Sequence, residues 1–244
     1  MLTAEQKNRY HRQLILPEFG IEGQLKLAGA RVLIVGVGGL GSITAFYLTA
    51  AGVGHIRIVD NDIVTVGNLN RQLLHSTADL NRPKVESAAE KLNILNPECF
   101  IEKVYARFED DNRFDLAEGC DLILDATDNL ASRHVLNRVS LKRRIPLIYG
   151  GINGWNGKAS TFLPGKTCCF ACVIPEGEAK KKLEVIPALG PTTGVIASIQ
   201  NMEAMKILLN IEPGLADRLL DFQGSRFRFR TVTLEKNPHC TVCG

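Results

Sequence analysis

Apolar and polar positions alternate along this chain with two periods. Val32 to Val35 is an unbroken apolar run that stops at Gly36, and from Ile43 the apolar positions recur at helical spacing through Phe46, Tyr47 and Leu48. A second run, His55 to Val59, ends in Asp60. Strand, tight turn, helix and strand form a β-α-β unit, whose right-handed crossover makes the two strands parallel neighbours. Weak alternation over residues 100–106 suggests another strand, and Asp121 to Asp125 is a buried strand ending in acids. Pro146 to Tyr149 and Lys158 to Leu163 read as two more. Helical patterns separate them: one opening at Asn81-Arg82-Pro83-Lys84 and running to about Leu95, one from Leu130 to Arg143, and a late one with Ile196, Ile199, Met202, Met205 and Leu208 on one face. Thr192 or Thr193 is the expected cap of the late helix. Residues 1–30 read as an amphipathic helical arm. Leu219 to Phe222 and Phe227 to Leu234 read as a hairpin, with Phe227 and Phe229 on one face and the arginines of 226–230 on the other. This alternation predicts a Rossmann-like, doubly wound, mostly parallel α/β sheet. The expected division is an arm over 1–30, a nucleotide-binding unit over 31–166, and a segment over 167–244 that belongs to the same globular unit.

Composition changes this picture little. The 244 residues carry 45% apolar and 23% charged side chains, enough to bury a substantial core. A net charge of +3 is too small to argue for nucleic acid or a membrane surface. From Val32 to Gly54 no residue is charged, but glycines interrupt the stretch and it fits strand, turn and helix better than a membrane span. The N-terminus lacks an apolar signal core, and seven cysteines without such a signal point to reduced thiols in the cytoplasm.

The chemistry concentrates at three places. The first is Gly36-Val-Gly38-Gly39-Leu-Gly41, placed between a strand and a helix. The first glycine permits the turn, the second lets backbone approach a phosphate, and the third lets helix pack on strand. Asp60 stands at roughly the spacing of a ribose-binding acid. The second place is the polar loop from Asn61 and Asp62 through Asn68, Arg71 and Gln72 to Lys84. Lys84 at a helix N-terminus opposes the helix dipole, which suggests an anionic ligand or, more plainly, a salt bridge. A nicotinamide enzyme would explain the glycines and Asp60 but not the cations Arg71, Lys84 and Arg12, which suit a triphosphate, nor Asp128, which can hold magnesium. No phosphate-binding Gly-x-x-x-x-Gly-Lys-Ser/Thr loop occurs. The third place is the pair Cys169-x-x-Cys172 and Cys240-x-x-Cys243, whose four thiolates complete a tetrahedral zinc shell and pin the tail to the middle of the chain. Redox dithiols are the alternative. Cys168 is the expected spare ligand or free thiol, and Cys99 and Cys120 read as small buried hydrophobes. The residues from Val173 to Gly190, with Lys180, Lys181 and Lys182, read as a mobile crossover loop.

Taken together, Arg9-Tyr-x-Arg12-Gln, the glycine motif, Asp60-x-Asp62, Asn68-Leu-x-Arg71-Gln72, Arg82-Pro-Lys84, Asp125-x-Thr-Asp128-Asn129 and the two cysteine knuckles resemble the ThiF/MoeB/HesA family, relatives of the ubiquitin-activating enzymes. The resemblance implies ATP- and magnesium-dependent adenylylation of the C-terminal glycine of a small ubiquitin-like sulfur carrier ending in Gly-Gly, for thiamine, molybdopterin or related sulfur chemistry. It implies that Asp60 binds the ribose, that Arg71 and Lys84 bind the phosphates beside Asn68 and Gln72, and that Asp128 holds magnesium. It also implies a homodimer in which Arg12 reaches the partner's ATP. Neither a nucleic-acid nor a membrane partner is expected. One departure stands out. Many relatives carry a cysteine shortly before the Gly-Pro that matches Gly190-Pro191, and here no cysteine lies between Val173 and Gly190. Activation of a tRNA base or a peptide by the same chemistry, and an inactive nucleotide-binding scaffold, are the other readings.

Overall fold

The computed structural model describes residues 1–109, 111–176 and 186–244. Among these residues, the arm is three short helices rather than one: α1 (Ala4–Arg9), α2 (His11–Leu14) and α3 (Gly20–Gly29). Thr3 caps α1, its side chain accepting from the Gln6 N–H while the Gln6 side chain returns the bond.

The core is one eight-stranded sheet of β1 (Arg31–Val35), β2 (His55–Asp60), β3 (Phe100–Tyr105), β4 (Leu122–Asp125), β5 (Leu147–Asn153), β6 (Asn156–Phe162), β7 (Arg218–Gln223) and β8 (Arg228–Thr233), in the order β3-β2-β1-β4-β5-β6-β7-β8. The first five are parallel and the last three antiparallel. The parallel half is the expected doubly wound sheet, and the hairpin extends it at one edge. Successive residues of β1 face opposite ways. Val32 and Ile34 pack with Ala45 and Leu48 of α4 (Gly39–Ala51), with Val85 and Leu92 of α5 (Lys84–Leu95), and with Leu208 of α9 (Gly190–Leu209). Leu33 and Val35 pack on the other side with Val135, Leu136 and Val139 of α7 (Leu130–Arg143) and with Phe170 of α8 (Phe170–Val173). The short α6 (Arg113–Leu116) adds Phe114 at the rim of that second layer.

Two local expectations are corrected. The late helix begins at Gly190, ahead of both threonines; Leu189 is its N-cap without a side-chain bond, and the Thr193 hydroxyl donates back to the Leu189 carbonyl. Pro191 supplies the pre-set φ of a first turn instead. Phe227 does not lie on the strand. Its φ of 50° places it in a left-handed turn before β8, so it does not share a strand face with Phe229. Phe229 pairs across the hairpin with Phe222, the ring centres 4.6 Å apart. The crossover reading and its lysines fall mostly on 177–185, outside the described residues. Among the described residues no helix is long and apolar enough to cross a membrane.

Candidate nucleotide and metal sites

The carboxyl ends of β2, β1 and β4 are in register, Val35 standing beside Val59 on one side and Asp125 on the other. The chain leaves β1 here for the edge on one side and β4 continues on the other, which is the switch point where open α/β sheets take ligands. Gly36 turns the chain with a φ of +93°, and a Cβ on it would lie 2.6 Å from the Ala126 carbonyl oxygen. The helix α4 starts at Gly39, earlier than its apolar spacing implies, so Gly41 sits in the first turn. No side chain caps this helix, which leaves first-turn N–H groups for an anion. A Cβ on Gly41 would lie 1.8 Å from the Gly36 carbonyl oxygen. Gly41→Ala should therefore force the loop open, and it is expected to weaken nucleotide binding at least tenfold and to lower the melting temperature; calorimetry and thermal denaturation check both.

Asp60 does two things in the loop. Its Oδ2 accepts the Val37 N–H at 2.7 Å and its Oδ1 the Asp62 N–H at 2.8 Å. Each carboxylate oxygen has a second lone pair for a ligand hydroxyl. Lys84 is only 5% exposed, and its ammonium donates to Asp62 at 2.8 Å. The plainer of the two sequence readings is thus present, and two ammonium protons remain for further acceptors. The Asn68 side-chain oxygen accepts the Thr65 N–H at 3.3 Å and closes its own turn. Arg71 is half-buried; its Nη1 donates to the Gly67 carbonyl at 2.9 Å and to Asn70 at 3.1 Å. Its aliphatic stem borders Gly39, and a Cβ there would lie 3.5 Å from Arg71 Cγ. Gln72 is buried with Oε1 unpartnered among the described residues, and its Nε2 would lie 3.6 Å from a Cβ on Gly38. Thr193 at the start of α9 closes the far side of Gly39. The glycine motif, Asp60, Asp62, Arg71, Gln72 and Lys84 are therefore brought together.

On β4, Asp125 points inward. It accepts the Thr127 N–H and hydroxyl at 2.9 and 2.7 Å and faces Arg133 Nε at 3.4 Å. Burial pushes its carboxyl above the ordinary range, with the Arg133 charge opposing that shift. Asp128 is exposed beyond the strand end. Asn129 serves the backbone, capping α7 with its side chain, which accepts the Ser132 N–H at 2.9 Å. Arg133 went unmarked in the sequence. Its guanidinium donates to the Thr127 carbonyl at 2.8 Å, lies 5.0 Å from the centre of the Tyr149 ring, and opens onto a cleft of about 540 Å³ between Gly151, Lys158, Asp221 and Arg226.

Arg12 is not part of this cluster within one chain. Gln13 and Gln24 donate to the Ala51 carbonyl, and Tyr10 packs on Gly52, so the arm is fixed to the carboxyl end of α4. The glycine loop lies at the amino end of that thirteen-residue helix, about 20 Å away along its axis.

The four predicted cysteines converge. Cys169 Sγ stands 3.9 Å from Cys172 and 3.8 Å from Cys240, Cys172 stands 3.5 Å from Cys243, and all four sulfurs lie within 4.8 Å of one another. A tetrahedron with metal–sulfur bonds of about 2.3 Å has edges of about 3.8 Å, so the quartet fits a metal ion of that size. Asn137 on α7 donates to Cys169 Sγ at 3.6 Å and accepts the Phe170 N–H at 3.0 Å, a supporting contact with no spacing signature. Cys168 stays outside the quartet; burial pushes its thiol up to about 12. Cys99 is buried as expected, whereas Cys120 is partly exposed beside Arg57.

Known proteins are similar to this chain along its whole length. The SAMP-activating enzyme E1 of Haloferax volcanii is 40% identical over all of this chain and 91% of its own length. The sulfur carrier protein adenylyltransferase of Thermus thermophilus is 37% identical over 99% of the chain and 92% of its own. The adenylyltransferase and sulfurtransferase MOCS3 of Drosophila sechellia is 40% identical over 99% of the chain, which spans 54% of that longer protein. Among solved structures, E. coli MccB with ATP superposes with a TM-score of 0.88 at 24% identity, covering 99% of this chain and 75% of that one, a likeness of fold. The ThiF family model matches residues 10–242, and this chain belongs to the ThiF family.

Proposed function

We propose that this protein is an adenylyltransferase that activates the C-terminal carboxylate of a ubiquitin-like sulfur carrier. The observation that carries the reading is the convergence of Arg71, Lys84, Asp60 and the uncapped start of α4 at one strand-end crevice, with Asp128 exposed beside it. The similarity to enzymes named for carrier activation supports it.

In this reading the α4 N–H groups, Arg71 and Lys84 bind the ATP phosphates, Asp60 binds the ribose and Asp128 holds magnesium. The carrier's carboxylate oxygen attacks the α-phosphorus. A new P–O bond forms, the bond to the β-phosphate oxygen breaks, and pyrophosphate leaves. Fixed cations stabilise the charge on that leaving group, and positioning supplies the rest. No side-chain nucleophile is required. The cleft beside Arg133 is the path for an extended carrier tail, because it opens next to Thr127 and runs along β5 and β6. Lys158, Asp221 and Arg226 line it and offer polar contacts to that tail.

The arm supports a homodimer. Arg12 is exposed and a helix length from its own glycine loop, so a partner's site is the one it serves. Exposed Ile21, Leu25, Phe46 and Tyr47 provide apolar surface for such an interface. The cysteine quartet holds zinc, with every position filled by protein, which makes the ion structural. With no cysteine between Val173 and Gly190, sulfur attacks the carrier adenylate from outside and displaces AMP, without attachment to that loop. Which sulfur pathway the carrier serves follows from the carrier.

ATP–pyrophosphate exchange with candidate carriers ending in Gly-Gly tests the reading. Carrier-dependent exchange is expected. Tight NAD binding with no ATP binding, or exchange that ignores every carrier, contradicts it.

A further inference from the structure

We propose that His75 is a positioning residue of the nucleotide site: through a hydrogen-bond chain from Asp79, Lys91 and Ser87 it holds the Val37 carbonyl and so aims the Gly38 N–H at the bound phosphate. The proposal rests on the nucleotide reading above.

His75 is 6% exposed and lies under the glycine loop. Its Nε2 stands 3.1 Å from the Val37 carbonyl oxygen and its Nδ1 3.0 Å from Ser87 Oγ. A carbonyl oxygen only accepts, so Nε2 carries the proton. Burial pushes the imidazolium pKa down and keeps the ring neutral, so Nδ1 accepts the Ser87 hydroxyl. Ser87 Oγ in turn accepts from Lys91 Nζ at 2.9 Å, and Lys91 pairs with Asp79. Asp79 is itself buried, and it accepts the Ser76 N–H and hydroxyl, each at 2.7 Å. Each link from Lys91 through Ser87 and His75 to Val37 has a donor and an acceptor, so its direction is fixed from the Lys91 ammonium to the loop.

The consequence falls on Val37. Its N–H is tied to Asp60 at 2.7 Å and its carbonyl to His75, so the middle residue of Gly36-Val37-Gly38 is held from both sides. In a planar trans peptide the C=O and the following N–H point in opposite directions. Anchoring the Val37 carbonyl toward the buried ring therefore turns the Gly38 N–H away from it. A peptide flip at this point would present a carbonyl oxygen to the phosphate instead.

Three variants test the chain, with ATP affinity read by calorimetry and KM and kcat read by exchange. His75→Phe keeps the ring volume and loses both bonds; ATP is expected to bind about tenfold more weakly, with KM for ATP raised and KM for the carrier unchanged. His75→Gln retains a donor for Val37 and an acceptor for Ser87, and it is expected to restore affinity to within about twofold. A folded His75→Phe protein that binds ATP as the wild type does overturns the proposal. If that variant does not fold, Ser87→Ala decides: a loss of about threefold in ATP affinity supports the chain, and no change overturns it. A wild-type protein that binds no ATP overturns the nucleotide reading together with this one, whereas normal wild-type binding with unaffected variants overturns this one alone.

Discussion

Replacing Arg71 or Asp128 by alanine is expected to lower ATP–pyrophosphate exchange about 10²-fold or more while leaving the fold intact. In the proposed roles Arg71 supplies a cation where the leaving group develops negative charge and Asp128 supplies a ligand for the magnesium ion that does the same, and losing one such charge partner costs about that much. Arg71 is preorganised by its neighbours: Nη1 is tied to the Gly67 carbonyl and to Asn70, so the guanidinium is held before any ligand arrives. Lysine is a poor substitute, since it lacks the planar fork that bonds backbone and phosphate together. Asp128 is exposed, and its side chain accepts from Asn129 at 3.4 Å on the surface, so its loss costs the core nothing. Circular dichroism and melting curves should match the wild type, which separates lost catalysis from lost structure. If Asp128 holds the magnesium ion, excess metal should partly rescue Asp128→Asn and leave Arg71→Ala unchanged. Exchange that survives Asp128→Ala would assign the metal elsewhere.

The second large effect concerns stability. Cys240→Ser is expected to release zinc, lower the melting temperature by about 10 °C and leave ATP affinity close to wild type. The residues after β8 carry few apolar side chains, and their attachment runs through Cys240 and Cys243 to Cys169 and Cys172. Loss of a metal crosslink costs on the order of 4 kcal/mol in a domain of this size. The nucleotide crevice is insulated from it. Asn137, which touches Cys169, lies eight residues into α7 from the cap Asn129, about 12 Å along the axis. Elemental analysis should find about one zinc per wild-type chain. A metal-free wild-type protein with an unchanged melting temperature would contradict the assignment.

How much of this was legible in the sequence depends on the range over which each feature is encoded. Strand β1 and helix α7 are local, and their bounds in the structure fall within a residue of those read from the sequence. The cysteine quartet is non-local but announces itself by spacing, because two thiolates three residues apart can bind one ion wherever the chain brings them. The direction of β6 follows from the two-residue loop Gly154-Trp155 that joins it to β5, which only an antiparallel pair allows, but strand limits set at Tyr149 and Lys158 hide that hairpin; the continuation through β7 and β8 is non-local and has no spacing signature. Phe227 misled because strict alternation looks the same whether its first residue is on the strand or in a left-handed turn. Asn68 and Asn129 sit where a ligand is expected, yet their side chains satisfy backbone N–H groups first. Arg133 and His75 had no signal at all. Each acts through partners distant in sequence, and a histidine twelve residues from a serine forms no motif.

Detection of the carrier adenylate tests the central claim most directly. Purified protein would be mixed with magnesium, ATP and a candidate carrier ending in Gly-Gly, and the intact carrier and enzyme weighed by mass spectrometry before and after sulfide is added. The account predicts a carrier bearing one adenylyl group at its C-terminus, conversion to the thiocarboxylate on adding sulfide, and an enzyme of unchanged mass throughout. A carrier that never gains the adenylyl group, or an enzyme–carrier disulfide or thioester that forms on the turnover timescale, would contradict it.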